Sequence, residues 1–228
     1  MSIAPVITID GPSGTGKGTI AQQISAELNW HYLDSGAIYR AMAWSALNAG
    51  IDIDDEQVMK SLLDTVQIDL QLSTEGVRVI CQETDISAAI RSEEVGLMAS
   101  RISSNPLVRK RLLELQLDAR RSPGLVADGR DMGTVIFPDA ALKFFLDASL
   151  EERAQRRYKQ LQMKGLSVNF AQIEADLKQR DERDRTRSIS PALPAKEAVI
   201  IDTTHMAIDE VMDVVRREIQ ASFKLGAL

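Results

Sequence analysis

Val6-Ile7-Thr8-Ile9-Asp10-Gly11-Pro12-Ser13-Gly14-Thr15-Gly16-Lys17-Gly18-Thr19 is the stretch on which the reading of this chain turns. A short β-branched run gives way to glycines around one lysine, and Ile20, Ile24 and Leu28 then recur at helical spacing, so strand, loop and helix are expected in that order. Glycine allows a backbone wrap too tight for a side chain, and a loop that ends at a helix start aims free N–H groups at an anion. The spacing Gly-x4-Gly-Lys is met by Gly11, Gly16 and Lys17. A nucleotide β-phosphate is the expected anion, with Lys17 reaching the β- and γ-phosphates. A hydroxyl directly after the lysine commonly helps to hold Mg²⁺; here that residue is Gly18, and the hydroxyl follows one place later at Thr19. A glycine-rich turn with a surface lysine is the alternative, and the flanking strand and helix argue against it.

Outward from this loop, 228 residues suffice for one α/β core with one or two insertions. Apolar content of 44% and charged content of 26% are those of a packed globular protein. A formal charge of −6 argues against broad nucleic-acid binding, although a local basic cleft can exist inside an acidic total. Cys81 is alone, so no internal disulfide is expected and the Cys pairs of a structural zinc site are missing. His31 and His205 are far apart and read as packing or surface residues, so no metal held directly by side chains is expected. With no targeting pattern and no membrane-length apolar run, the chain reads as a soluble, untargeted, cytoplasmic protein with no membrane partner.

Further strands are expected at Trp30 to Asp34, Leu125 to Asp128, Ala141 to Asp147 and Ala198 to Asp202. Helical segments between them imply right-handed crossovers and a parallel sheet. Ser35 to Arg40 leads into an alanine-rich helix; Asp34 or Ser35 is either a helix cap or, with Arg40, part of a ligand site at the strand's end. A short helix is expected over Asp54 to Leu63. Val66 to Leu72 and Val77 to Cys81 alternate around Ser73-Thr74-Glu75-Gly76, an antiparallel hairpin with Thr84 to Ile86 as a third strand. Asn105-Pro106 opens a long helix decorated by Arg101, Arg109, Lys110, Arg111, Arg120 and Arg121, most of them expected in solvent. Ser149-Leu150-Glu151-Glu152 fits a capping box for a helix carrying Arg153, Arg156 and Arg157. Another helix runs from Asn169 to Arg187 and places Arg180, Asp184 and Arg187 on one face. A solvated, salt-bridged face is the bland reading, but a protein that handles a γ-phosphate needs arginines to cover it.

Gly11 to Thr19, Leu33 to Arg40, and Asp128-Gly129-Arg130-Asp131-Met132-Gly133-Thr134 together resemble the bacterial cytidylate kinases, relatives of adenylate kinase, nearly end to end. The Gly-Lys-Gly-Thr loop is a form this group tolerates. The resemblance implies an α/β fold of the P-loop nucleoside monophosphate kinase type: a five-stranded parallel sheet with flanking helices, a small antiparallel β insertion and a helical lid. It divides the chain into a core (1–34, 105–148 and 188–228), a monophosphate-binding region (35–104) and an arginine-rich lid (149–187).

The implied activity is transfer of the γ-phosphoryl group of ATP, with Mg²⁺, to CMP or dCMP. Gly11, Pro12, Ser13, Gly14, Thr15, Gly16, Lys17, Gly18 and Thr19 would hold ATP. Ser35, Arg40, Arg130 and Arg187 would surround the acceptor phosphate, Ser100, Arg109 and Asp131 would read the base, and Arg180 and Asp184 would hold the sugar. Asp128 and Gly129 fall in the same substrate segment; Lys17, Arg130, Arg156, Arg157 and Arg187 are the expected catalytic cations. A carboxylate at Asp131 suits the cytosine amino group and repels the uracil carbonyl; the alternative is a structural ion pair with Arg130 or Arg109. A GTP switch lacks its Asn-Lys-x-Asp run, and a small-metabolite kinase gives no reason for the hairpin. A non-catalytic ATP-binding module leaves the lid arginines without a task. A monomer is expected.

Overall fold

The computed structural model describes residues 3–73 and 76–223. In chain order they form β1 (Val6–Asp10), α1 (Lys17–Leu28), β2 (His31–Asp34), α2 (Ser35–Asn48), α3 (Glu56–Thr65), β3 (Ile68–Ser73), β4 (Gly76–Cys81) and β5 (Thr84–Asp85). Next come α4 (Glu93–Ile102), α5 (Pro106–Leu117), β6 (Leu125–Gly129), β7 (Leu142–Asp147), α6 (Leu150–Met163), α7 (Phe170–Thr186), β8 (Val199–Asp202) and α8 (Ile208–Phe223).

Five strands make one sheet in the order β2-β6-β1-β7-β8, and every neighbouring pair is parallel. Helices cover both faces, so the central strands need apolar side chains on both sides. Val6, Leu33, Leu125 and Ala127 join the core under α2 and α5. Ile7, Ile9, Val126, Phe144 and Leu146 face the other way, into the core shared with α1 and α8. The strand order places the C-terminal ends of β1, β2 and β6 side by side, the edge at which open α/β sheets bind ligands.

A second sheet, β3-β4-β5, is antiparallel. Ile68, Val79 and Cys81 are buried against the α2 side of the core, while Asp69 and Arg78 are exposed. The expected hairpin is therefore present, but β3 begins at Ile68 because Val66 ends the preceding helix as its C-cap. Thr74 and Glu75 of its turn lie outside the described residues.

Four local readings change. Helix α3 starts two residues later than Asp54, since Asp55 is the cap that accepts from the amides of Gln57 and Val58. Helix α4 is an addition: Ser92 caps it, and Val95, Ala99 and Ile102 give it a buried face. Arg101 belongs to α4, not to the helix opened at Pro106, and pairs with Asp54 at 3.2 Å. The capping box at Ser149 is half formed. Ser149 Oγ accepts from the Glu152 amide at 3.2 Å, but its own amide donates to Thr204 Oγ1, and Glu152 instead pairs with Arg156.

Among the described residues no helix is long and apolar enough to cross a membrane.

Candidate active site

The loop between β1 and α1 is shaped by backbone that only glycine accepts. Gly11 has φ +146°, and a Cβ there would fall 2.0 Å from the Leu146 carbonyl oxygen. Gly16, at φ 90°, stands where α1 would take its cap, and no side chain bonds the first-turn amides there. Those amides stay open to an anion at the positive end of the helix. Lys17 Nζ folds back to donate to the Pro12 carbonyl at 3.1 Å, and Thr15 Oγ1 bonds the same oxygen. Arg153 braces the loop from outside, donating to the Ser13 carbonyl at 3.2 Å while pairing with Asp181 at 2.7 Å.

Beside the loop, at the C-terminal ends of β1, β2 and β6, lies a cavity of about 220 Å³. Asp34 caps α2 by accepting from the Ala37 amide, which is the cap reading of this joint, and it also pairs with Arg40 at 2.7 Å. Asp131 pairs with Arg109 and, at 3.4 Å, with Arg187. Arg130 pairs with Asp184 at 3.0 Å, not with Asp131. The cavity is lined by six cations, Lys17, Arg40, Arg109, Arg130, Arg180 and Arg187, against four carboxylates, Asp34, Asp128, Asp131 and Asp184. The cavity thus carries a formal surplus of two positive charges inside a chain of net charge −6, a field that favours an anion.

Burial dominates the titration of this cluster. It pushes the Lys17 ammonium down, with Arg130 adding repulsion. It pushes the Asp128 carboxyl up, helped by neighbouring Asp34, while Tyr32 Oη donates to Asp128 at 2.7 Å. Arg180 is lowered to about 10 by burial and by Arg130. Burial also lowers Arg187. Asp184 is the exception: burial raises it, but Arg130, Arg180 and Arg187 together hold it below the usual carboxylate range. Arginines that repel one another gain from an anion between them.

Most of the residues read from the sequence meet here: Ser13, Lys17, Gly18, Ser35, Arg40, Ser100, Arg109, Asp128, Gly129, Arg130, Asp131, Arg180, Asp184 and Arg187 all line the cavity. Arg109, placed among solvated arginines by its neighbours, is 8% exposed. Ser100 Oγ is buried without a hydrogen-bond partner, and so is Arg180 Nε, whose nearest carboxylate, Asp184, is 4.0 Å away. Arg156 and Arg157 do not line the cavity. Arg156 donates to Thr203 O at 2.6 Å, and Thr203 in turn bonds the Thr15 carbonyl of the phosphate loop. Arg157 pairs with Glu93 on α4. Thr19 is exposed on α1. Tyr39, Ala99 and Ser103 also line the cavity and escaped sequence reasoning, as did Gln116 behind its wall. Tyr39, one turn after Ser35 on α2, lies under the Arg109 guanidinium at 5.7 Å, and Gln116 accepts from Ser35 Oγ at 2.8 Å. The i, i+4 spacing of Ser35 and Tyr39 was a usable signal; Gln116 had none.

Known proteins resemble this chain along nearly its whole length. Residues 7–221 match the family model described as cytidylate kinase. A cytidylate kinase of Coxiella burnetii is 53% identical over 219 residues, covering 95% of this chain and 92% of the relative. That of Aeromonas salmonicida is 52% identical, covering 93% of each. An uncharacterized protein from Eubacterium ventriosum superimposes with a TM-score of 0.53 at 13% identity, covering 96% of this chain and 99% of that one, which speaks to the fold alone.

Proposed function

The chain belongs to the cytidylate kinase family, and we infer that the cavity beside its phosphate loop is where it phosphorylates CMP and dCMP with ATP, giving CDP and dCDP for pyrimidine nucleotide metabolism. The observation that carries the assignment of the site is the six-to-four excess of cations lining a cavity that opens directly beside Lys17.

Three working parts follow. The core (1–34, 105–148 and 188–228) holds ATP on the loop Gly11 to Thr19, with Lys17 at the β- and γ-phosphates. The region 35–104 receives the monophosphate, and 149–187 is a lid whose arginines cover both. Ser35, Arg40, Arg130 and Arg187 hold the acceptor phosphate, and Arg180 and Asp184 hold the sugar. Ser100, Arg109 and Asp131 read cytosine: Asp131 accepts from the amino group at N4, and Arg109, a donor only, serves N3 or O2. The ion pairs of Asp131 with Arg109 and Arg187 do not exclude this, because a carboxylate has about four acceptor sites and the two pairs leave some open.

Chemistry then requires little covalent work. An oxygen of the acceptor phosphate attacks the γ-phosphorus, the bond from that phosphorus to the β,γ-bridging oxygen breaks in line, and ADP leaves with the electron pair. Lys17, Arg130 and Arg187 neutralise the charge spread over the transferring group, and lid closure keeps water from competing as acceptor. Arg156 and Arg157 reach the reacting phosphates only if that closure turns them inward.

Among the described residues no cluster of three or more His, Cys, Asp or Glu forms a metal cage. Mg²⁺ does not need such a cage, being usually held by one or two carboxylates, water and the nucleotide's own phosphates. Asp128, which closes β6 on the cavity wall, is the carboxylate that would complete its shell. When bound, the ion neutralises the β- and γ-phosphate oxygens. We place the enzyme in the cytoplasm as a monomer, without a nucleic-acid or membrane partner.

A coupled assay for ADP release across CMP, dCMP, UMP, AMP and small hydroxyl acceptors tests the assignment. CMP and dCMP should lead; a faster reaction with any other acceptor overturns it.

A further inference from the structure

Asp131 stands at the cap position of the wide turn Met132–Ile136, yet its side chain caps nothing. Its carboxylate is engaged by Arg109 and Arg187 instead. The amides it leaves free are taken by a residue more than a hundred positions away. Asp10 Oδ1 accepts from the Met132 amide at 2.9 Å and Asp10 Oδ2 from the Gly133 amide at 2.8 Å. Asp10 is 3% exposed and ends the central strand β1, paired through its backbone with Gly129 and Phe145. The next residue is Gly11, where the phosphate loop begins.

The turn is held closely against β1. A Cβ on Gly133 would fall 2.8 Å from Thr8 Oγ1 and 3.4 Å from Asp10 Oδ2. Its hydrogen bonds run from the Ile136 amide to the Asp131 carbonyl and from the Phe137 amide to the Met132 carbonyl. Such wide turns are rare and frequently lie at functional sites. Burial pushes the Asp10 carboxyl up to about 6, and the two backbone bonds oppose that rise. At neutral pH it is therefore ionised and accepts on both oxygens.

We propose that Asp10 is a positioning residue for base choice: by capping the turn from β1 it frees the Asp131 carboxylate to face cytosine and ties the base-reading turn to the start of the phosphate loop. This rests on the base-reading role assigned to Asp131 above. Asp10→Asn has nearly the same shape, but it accepts on one oxygen only and turns an NH₂ toward the second backbone N–H. The turn must shift, and Asp131 with it.

The experiment is a double-mutant cycle on kcat/KM for CMP and UMP, with Asp10→Asn, Asp131→Ala and the double variant checked for folding by circular dichroism. Asp10→Asn should lower the CMP-to-UMP ratio about tenfold, less than the roughly hundredfold that a full 1 Å misplacement can cost. In the Asp131→Ala background it should change the ratio no further, because it acts through that carboxylate. A merely structural role would lower CMP and UMP use equally, or would multiply with Asp131→Ala; either result overturns the proposal. If Asp131→Ala shifts the ratio and Asp10→Asn does not, only the role of Asp10 falls. If neither shifts it, the base-reading assignment falls and the role of Asp10 with it. Should Asp10→Asn not fold, amide resonances of the unmutated protein decide: CMP should move Met132 and Gly133 more than UMP does, and equal shifts overturn the proposal.

Discussion

The phosphate loop and the acceptor cavity lie side by side but are built in opposite ways. The loop is one run of nine residues, Gly11 to Thr19, and its anion-facing groups are backbone amides shaped by glycine. The cavity is assembled from α2, α4, α5, the turn after β6, and α7, and its working groups are side chains that hold one another in place. Arg130 meets Asp184 across 54 residues of sequence and Arg109 meets Asp131 across 22. A backbone site survives the loss of a side chain. A network of buried ion pairs does not, because each member stabilises its partner as well as the ligand.

Lys17 gives the sharpest test of that contrast, being the lone side-chain cation of a backbone site. Lys17→Met removes charge where the transition state needs it, and turnover should fall by about 10² to 10³, the effect of deleting one preorganised donor. The melting temperature should hold or rise, since the substitution also removes a buried ammonium whose pKa is depressed by that burial. Near-normal turnover, or a large drop in stability, would break the distinction between the two regions.

The same contrast explains what could be read from the chain before its structure. Five strands and the loop were legible because each is a contiguous pattern: a β-branched or apolar run, a glycine-lysine spacing, a following helical period. Helix α4 was not, since Gly96 interrupts a ten-residue segment whose apolar positions count only once they pack beside α2. The turn Met132–Ile136 has no local signature because its cap comes from Asp10. Arginines were the hardest case. Nothing near Arg109 sets it apart from Lys110 or Arg111; its burial is decided by Asp131. Likewise Arg153, Arg156 and Arg157 share one helix, and the contacts of each with Ser13, Thr203 and Glu93 decide which way it turns.

In the side-chain region a substitution should strike binding and stability together. Asp131→Ala should cut the CMP-to-UMP preference by about ten- to a hundredfold, the value of one well-placed hydrogen-bonded pair. Read from sequence, that loss would leave the fold untouched. The structure changes the expectation, because Arg109 and Arg187 would both lose a buried partner, and urea unfolding should show destabilisation of about 3 kcal/mol or more. Lost preference at unchanged stability would mean that the guanidiniums find other partners, and the cavity would then be less of a network than its ion pairs imply.

The smallest effect is expected where the two regions are joined, at Asp10, and it is read in the pH dependence of stability. Burial raises the folded-state pKa of Asp10 to about 6 from the ordinary carboxyl value of 3.8. Between these values the folded chain holds a proton that the unfolded chain has released, so stability contributed by this group rises as pH falls. The sign is opposite to that of a salt-bridged carboxylate, whose contribution is lost on acidification. Asp10→Asn cannot titrate, so the difference in unfolding free energy between the two proteins isolates the group. From pH 7 to pH 5 the unmutated protein should gain about 1 kcal/mol relative to the variant, close to one pKa unit's worth of linkage. A flat difference would mean that the Asp10 carboxyl stays ionised throughout, held by the Met132 and Gly133 amides strongly enough to cancel its burial. A difference that falls with acidification would place its pKa below that of the unfolded chain and would make the join between loop and cavity a net source of stability at neutral pH.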